Sequence, residues 1–291
     1  MNCVSAHLGQ RRGSGATTDA AECSSVPSVN MADQLSLRLD PELPHLPVTI
    51  RPMTARPADA PFDSAEHLFE PHWGGERALA FIDRRLDGSR ALRLLDGRGR
   101  ELATLVPELG ELPERISAKT VVLDGEIVVV DGRGRGDDAA LRARLAGKSG
   151  PAVAYLVFDL LHLDGRPLFN EPLSRRREML GRVLSPGDEV VAVPAIRGEG
   201  RALYEAILGQ GIAGVMAREV RSPYLPGVRS TLWRLILRGS AGANPAGAAT
   251  ERDAGPGTDV QPSGEPQPGA GRSGPVIALI RRLPLDDPPG R

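Results

Sequence analysis

An α+β fold with antiparallel sheets is the class that this 291-residue sequence predicts. Three observations carry the prediction. Apolar runs of strand length, alternating or continuous, recur through the middle of the chain. The dipeptides Asp87-Gly88, Asp96-Gly97, Asp131-Gly132 and Asp164-Gly165 sit at the ends of such runs, where tight hairpin turns belong. Helix-period segments are few and short, and they lie between strands without a regular strand-helix alternation.

Element by element, strands are expected at 77–83, 91–95, 120–130, 152–161, 189–196, 212–218 and 232–237. Helices are expected at 107–116, 139–146, 173–184 and 200–208. Ser174 is read as the polar cap of the third helix, with Arg175, Arg176 and Arg177 on its first turn. Those arginines either meet a nucleic-acid backbone or form a solvated face, the plainer reading. The ordered domain is therefore expected over 45–238. Residues 1–44 are rich in Ser, Ala, Gly and Arg without periodicity and read as a disordered leader. Residues 239–291 read as a low-complexity Gly/Pro/Ala tail, with one apolar piece at 276–283 and no room for a further barrel domain.

Composition narrows the function. Lys+Arg (36) nearly cancels Asp+Glu (37), so the net charge of -1 supplies no global attraction to nucleic acid. No apolar run reaches the roughly 18 to 20 residues of a membrane span. The first residues lack the apolar centre of a signal peptide, so the default expectation is a cytoplasmic protein away from membranes. The only cysteines, Cys3 and Cys23, lie in the leader, so no cysteine metal site or disulfide framework is expected in the domain. Lysine occurs only at Lys119 and Lys148, so chemistry that needs a lysine amine has two candidates.

Several short motifs are weak. Gly147-Lys148-Ser149 resembles the end of a phosphate loop, but the motif's first glycine falls on Arg142 and no strand precedes it. His67 and His72 lack a carboxylate or cysteine at ligand spacing. His162 reads as a turn residue after an apolar strand.

Five segments in order are more specific. They are Phe69-Glu70-Pro71-His72-Trp73-Gly74-Gly75-Glu76-Arg77, Leu123-Asp124-Gly125-Glu126-Ile127-Val128 and Tyr155-Leu156-Val157-Phe158-Asp159-Leu160-Leu161. The fourth is Gly211-Ile212-Ala213-Gly214-Val215-Met216-Ala217-Arg218, and the fifth runs from Ser222-Pro223-Tyr224 to Trp233. Together they resemble the adenylation domain of bacterial ATP-dependent DNA ligases of the end-joining type. The resemblance implies a two-sheet nucleotidyltransferase (ATP-grasp-like) fold with flanking helices. It also implies ATP and Mg2+ as cofactors, and ATP, nicked or broken duplex DNA and a protein of DNA repair as partners.

The family's chemistry moves AMP from ATP to a lysine amine, then to a DNA 5′-phosphate. It needs an in-line amine, cations for the phosphates, carboxylates for the metal and an aromatic under adenine. By resemblance, Glu70, Arg77, Glu126, Phe158 and Arg218 are nucleotide-binding positions, and Glu126 is also a metal position. The nucleophilic lysine is replaced by His72, the aspartate beside it by Gly74 and a metal-binding glutamate by Ala213. Two phosphate-gripping lysines are replaced by Leu235 and Leu237, and an arginine that reads the nick by Gly97, next to Arg98. Three readings of His72 stand open: a substitute nucleophile, since imidazole also forms phosphoramidates; a non-covalent nucleotide contact; or a polar remnant. Phe158 is an adenine shelf or a core aromatic, and Glu126 a metal ligand or a solvated strand residue. The expected function is a ligase-family protein impaired in self-adenylation. The alternatives are an unusual nucleotidyltransferase using His72 and a non-enzymatic interaction module.

Overall fold

The computed structural model describes residues 45–239 apart from 85, 86, 132 and 133. The readings for the leader, its cysteines and the tail beyond Gly239 lie outside the described residues. In chain order the elements are β1 (Thr54–Pro57), β2 (Ser64–His72), β3 (Glu76–Arg84), β4 (Arg90–Asp96), a 3₁₀ stretch at Pro107–Arg115, β5 (Thr120–Val128), α1 (Asp138–Leu145), β6 (Ala154–Leu163), β7 (Arg166–Pro167), α2 (Leu173–Val183), β8 (Val190–Ala192), β9 (Ile196–Gly198), α3 (Gly200–Gln210), β10 (Gly214–Glu219) and β11 (Arg229–Leu237).

They build two mostly antiparallel sheets. The larger has the order β4-β3-β5-β6-β7, with β8 also on β6; the smaller has the order β1-β11-β10-β2-β9. The expected α+β class holds, with two exceptions to antiparallel pairing: β1 runs parallel to β11, and β8 parallel to β6.

Strand alternation sorts the side chains into two cores. On β3, Leu79 and Phe81 join Leu156, Phe158 and Trp233 in one cluster, which continues through Phe69, Val215 and Ile236 to Tyr204 and Ile207 of α3. Ala78, Ala80 and Ile82 point the other way, onto Val121, Leu123 and Tyr155 and then Leu109, Leu112, Leu141 and Leu180. Central β5 is covered on both faces, which explains its nearly continuous apolar run. A Cβ on Gly125 would lie 2.6 Å from the Leu156 carbonyl and equally close to the Tyr155 ring, so only glycine fits there. The Tyr155 hydroxyl donates to the carbonyls of Ala78 (2.9 Å) and Leu123 (3.3 Å), which satisfies it at full burial.

Several expectations are corrected. The helix expected at 107–116 is a 3₁₀ stretch, because Pro113 inside it has no N–H and the segment holds Gly110 as well. The strand expected at 189–196 divides into β8 and β9, which belong to different sheets. β1, β2 and β7 were not anticipated as strands. β6 extends through His162, so this residue is a buried strand position and not a turn. Pro172, not Ser174, occupies the cap position of α2, with no side-chain cap. Of the three arginines there, Arg175 is exposed and paired with Glu178, whereas Arg176 and Arg177 turn inward. Gly147-Lys148-Ser149 follows α1 instead of preceding a helix.

Candidate functional site

The chain passes from the small sheet to the large one at Trp73-Gly74-Gly75, between β2 and β3. Gly74 has φ +79°, which favours glycine, and a Cβ on Gly75 would lie 2.2 Å from the Ile127 carbonyl, so the crossing requires glycine at 75. This crossing fixes which side chains face each other between the sheets. On the small sheet, the pairs Glu70–Met216, His72–Gly214 and Arg218–Trp233 share one face by alternation. On the large sheet, the pair Arg77–Glu126 faces them, together with Asp124 and Phe158. All six residues singled out in the sequence, Glu70, His72, Arg77, Glu126, Phe158 and Arg218, therefore flank the same cleft.

Their polar groups are engaged with one another. Arg77 grips Asp124 through both Nε and Nη2, each at 2.5 Å, and Asp124 also accepts from the Tyr224 hydroxyl at 2.7 Å. Burial alone would lower the Arg77 guanidinium, but the Asp124 carboxylate outweighs it and holds Arg77 above its usual range. Burial raises the Asp124 carboxyl, with Arg77 opposing, and pushes the Tyr224 hydroxyl well up, so the tyrosine remains a donor. Glu70 is buried and forms ion pairs with both Arg177 and Arg218. Arg177 also donates to the carbonyls of Phe158 (3.0 Å) and Val193 (2.5 Å). Burial presses the Arg218 guanidinium down to about 9 and that of Arg177 to about 10, so both are cationic at neutral pH.

The aromatic shelf is covered. The Arg218 guanidinium lies 4.0 Å from the Phe158 ring centroid and 4.8 Å from that of Trp233. Arg77 approaches the same rings at 4.6 and 5.6 Å. Trp233 meets Phe158 edge-on, with centroids 6.3 Å apart. Such contacts are cation–π pairs in a desolvated setting. Phe158 retains only 4% of its exposure.

Toward the mouth, Glu126 accepts the Gly75 N–H and lies 3.6 Å from His72 Nδ1. A Cβ on Gly74 would sit 3.4 Å from the Ala213 side chain, so the two positions at which the family resemblance implies carboxylates adjoin each other, and both are bare. Leu235 and Leu237 pair with Met216 and Gly214, which extends the cleft-facing row with apolar side chains. Among the described residues, no group of three His, Cys, Asp or Glu side chains could hold a metal ion. The residues present do not fit a divalent cation: Glu126 is already engaged by the Gly75 N–H and faces His72.

From the sequence, Arg176 and Arg177 read as a solvated or nucleic-acid-facing helix face, and their inward turn was missed. Arg176 pairs with Asp159 at 2.7 and 2.8 Å, with neither side chain exposed. The signal was present: Arg176 and Arg177 follow Leu173 by three and four residues and precede Leu180, the spacing of a buried helix stripe.

Two facing sheets, a glycine crossing and an Asp-Gly-Glu strand opposite a Phe-Asp strand define a nucleotidyltransferase-type domain. The chain belongs to the ATP dependent DNA ligase domain family, whose model matches residues 52–235, more than half of the chain. It is 32% identical over 170 residues to the multifunctional non-homologous end joining DNA repair protein LigD of Mycobacterium tuberculosis (58% of this chain, 21% of that one). It is 34% identical over 167 residues to a probable DNA ligase of Kineococcus radiotolerans (52% of this chain, 32% of that one). The solved ligase domain of M. tuberculosis LigD superposes with a TM-score of 0.56 at 29% identity, covering 66% of this chain and 60% of that one. Mycobacterial DNA ligase D complexed with ATP and MES gives 0.55 at 28% identity, with 66% and 62% covered. The chain thus spans about a fifth to a third of the length of these curated relatives.

Proposed function

We propose that this protein is a ligase-family domain that no longer charges itself with AMP and serves DNA end repair as a binding accessory. One observation carries the reading: the cleft is completed by the protein's own cations. Arg218 and Arg77 lie over the shelf that adenine would need, and Arg218 is tied there by Glu70. The positions of the nucleophile, its neighbouring carboxylate, a metal carboxylate and two phosphate lysines hold His72, Gly74, Ala213, Leu235 and Leu237. The two absent lysines alone remove charge-assisted hydrogen bonds worth roughly 1.5 to 3 kcal/mol each. ATP affinity weaker than micromolar is therefore expected by titration calorimetry; a micromolar or tighter constant overturns the closed-cleft reading. The direct test is intact mass after incubation with ATP and magnesium, where no AMP adduct is expected.

A second reading is favoured by the place of His72. It lies on the cleft face and is partly exposed, with Nδ1 toward Glu126 and no hydrogen bond on Nε2 among the described residues. In that reading, Nε2 attacks the α-phosphorus of ATP. A P–N bond forms as the α–β P–O bond breaks, and pyrophosphate leaves. An acid-labile AMP adduct that vanishes in His72→Ala establishes this reading in place of the first.

A further inference from the structure

The mouth of the cleft has an apolar floor. One row across the small sheet runs His72–Gly214–Leu237, and the next runs Glu70–Met216–Leu235. β2 and β11 both flank β10, so His72 and Leu237 stand about 10 Å apart with a glycine between them. Gly214 has no room for a side chain, because a Cβ there would lie 2.4 Å from the Ile236 carbonyl. Ala213 and Gly74 add nothing larger than a methyl group beside it. The result is a groove about one side chain wide, backed by Met216 and half-buried Leu235 and open to solvent at Leu237, which is 47% exposed. Among the described residues, the other exposed large apolar side chains lie elsewhere: Val48 and Val228 in connecting segments, Leu208 on α3. The Leu237 backbone is engaged, its carbonyl accepting from the Tyr204 hydroxyl at 3.2 Å, so what the groove offers is the leucine side chain.

Two observations point to the occupant. The first is where the chain goes. The described domain ends at Gly239, just beyond Leu237, so the chain leaves it from the lip of the groove. Residues 240–275 are rich in Gly, Pro and Ala, and Val276-Ile277-Ala278-Leu279-Ile280 follows, ahead of Arg281-Arg282. A Gly/Pro-rich tether of that length reaches about 30 Å or more and presents what it carries at an effective concentration on the order of millimolar, so a weak contact suffices. The second is charge. The Arg238 N–H donates to the Ala213 carbonyl at 2.9 Å, and Arg238 lines a polar cavity of about 330 Å³ with Asp131, Arg135, Asp137, Asp138 and Gly211. Three carboxylates against two guanidiniums leave that cavity acidic, and it adjoins the groove through Arg238 and Gly211. An apolar run that ends in two arginines matches an apolar groove that ends in an acidic cavity. We infer that residues 276–283 dock in cis at the cleft mouth, with their apolar side chains between His72 and Leu237 and Arg281 and Arg282 toward Asp137 and Asp138. The inference needs neither reading of His72, since the groove is defined by side-chain size and register alone.

The test is hydrogen–deuterium exchange of the full chain, read by mass on peptides that cover 276–283. Amides of that segment are expected to exchange at least about tenfold more slowly in wild type than in Leu237→Asp, which puts a carboxylate into the groove and leaves the segment's own sequence unchanged. Leu208→Asp, on α3, is the control and is expected to keep the protection. Arg281→Glu combined with Arg282→Glu leaves the domain untouched and is expected to lose part of it, so the inference stays testable should Leu237→Asp fail to fold. Exchange of 276–283 as fast as that of 255–270 in wild type overturns the inference, and so does protection that survives Leu237→Asp in a folded protein. Protection that fades on dilution of the protein also overturns it and gives the groove to a second copy of the chain. Protection unchanged by the double charge reversal overturns the part assigned to the acidic cavity.

Discussion

Arg176 and Asp159 meet with both side chains fully buried, and Arg176 Nη1 donates to the carbonyls of Glu171 (2.5 Å) and Ser222 (3.0 Å). Breaking such a pair leaves a charge stranded, which costs about 3 to 5 kcal/mol. Arg176→Met is accordingly expected to lower the unfolding free energy measured in urea by that margin, and Asp159→Leu combined with it to recover much of the loss. Stability equal to wild type in Arg176→Met would show that water reaches Asp159. At the mouth of the cleft the expectation concerns activity. His72→Lys supplies an amine but leaves Gly74, Ala213, Leu235 and Leu237 unchanged. Single electrostatic contacts to a transition state are worth about 2.7 to 4 kcal/mol, so two or three missing together cost on the order of a million-fold at the upper end, since such losses are rarely additive. No transfer of label from ATP to the His72→Lys protein is expected, and robust labelling would show that the other four changes are tolerated.

At the scale of elements, the crossing from β2 to β3 is the joint on which the cleft depends. Gly75→Ala drives a methyl group into the Ile127 carbonyl and the side chains of Val128 and Glu126. Overpacking of this kind costs about 1 to 3 kcal/mol, and calorimetric melting of the variant measures it. Gly74 is the gentler position. Nothing but Ala213 lies near its absent Cβ, and its positive φ is one that aspartate adopts more readily than most residues. The long strands β3, β5 and β6 were legible in the sequence because their periods and their Asp-Gly turns agree. Asp164 and Gly165, for instance, both have positive φ in the turn between β6 and β7. β1 was not legible and β9 was merged with β8 into one expected strand: each is short, and each is a strand only because a distant partner, Arg229 to Leu235 or Ser64 to Phe69, supplies its ladder. The site was legible as a set of positions and illegible as a state. The motif order placed Phe158 and Arg218 in the cleft, but that one covers the other follows from Arg218 and Trp233 being cross-strand neighbours.

For the molecule as a whole, pH acts through two histidines, half-buried His67 and buried His162. Burial lowers both His67 and His162 below the ordinary imidazole range. The unfolded chain then binds their protons more readily than the folded one, so stability is complete above about pH 6.5 and falls as pH drops through the folded values. Urea unfolding between pH 7.5 and 5.5 is expected to show that decline, and His162→Phe to flatten it; an unchanged slope in the variant would place the titration elsewhere. Asp96 acts in a lower window, because hydrogen bonds from the Arg98 and Arg100 backbone hold it down against its own burial. The closed shelf also has an optical consequence. The chain has only two tryptophans. Trp73 marks the sheet crossing and donates through its indole N–H to the Gly134 carbonyl at 3.2 Å, whereas Trp233 has no solvent exposure and Arg218 lies 4.8 Å from its ring. Any ligand that lifts Arg218 off Phe158 must also take that cation away from Trp233. The emission of one indole then changes while the other, set apart at the crossing, serves as an internal reference, and the protein becomes its own label-free gauge of whether the cleft has opened.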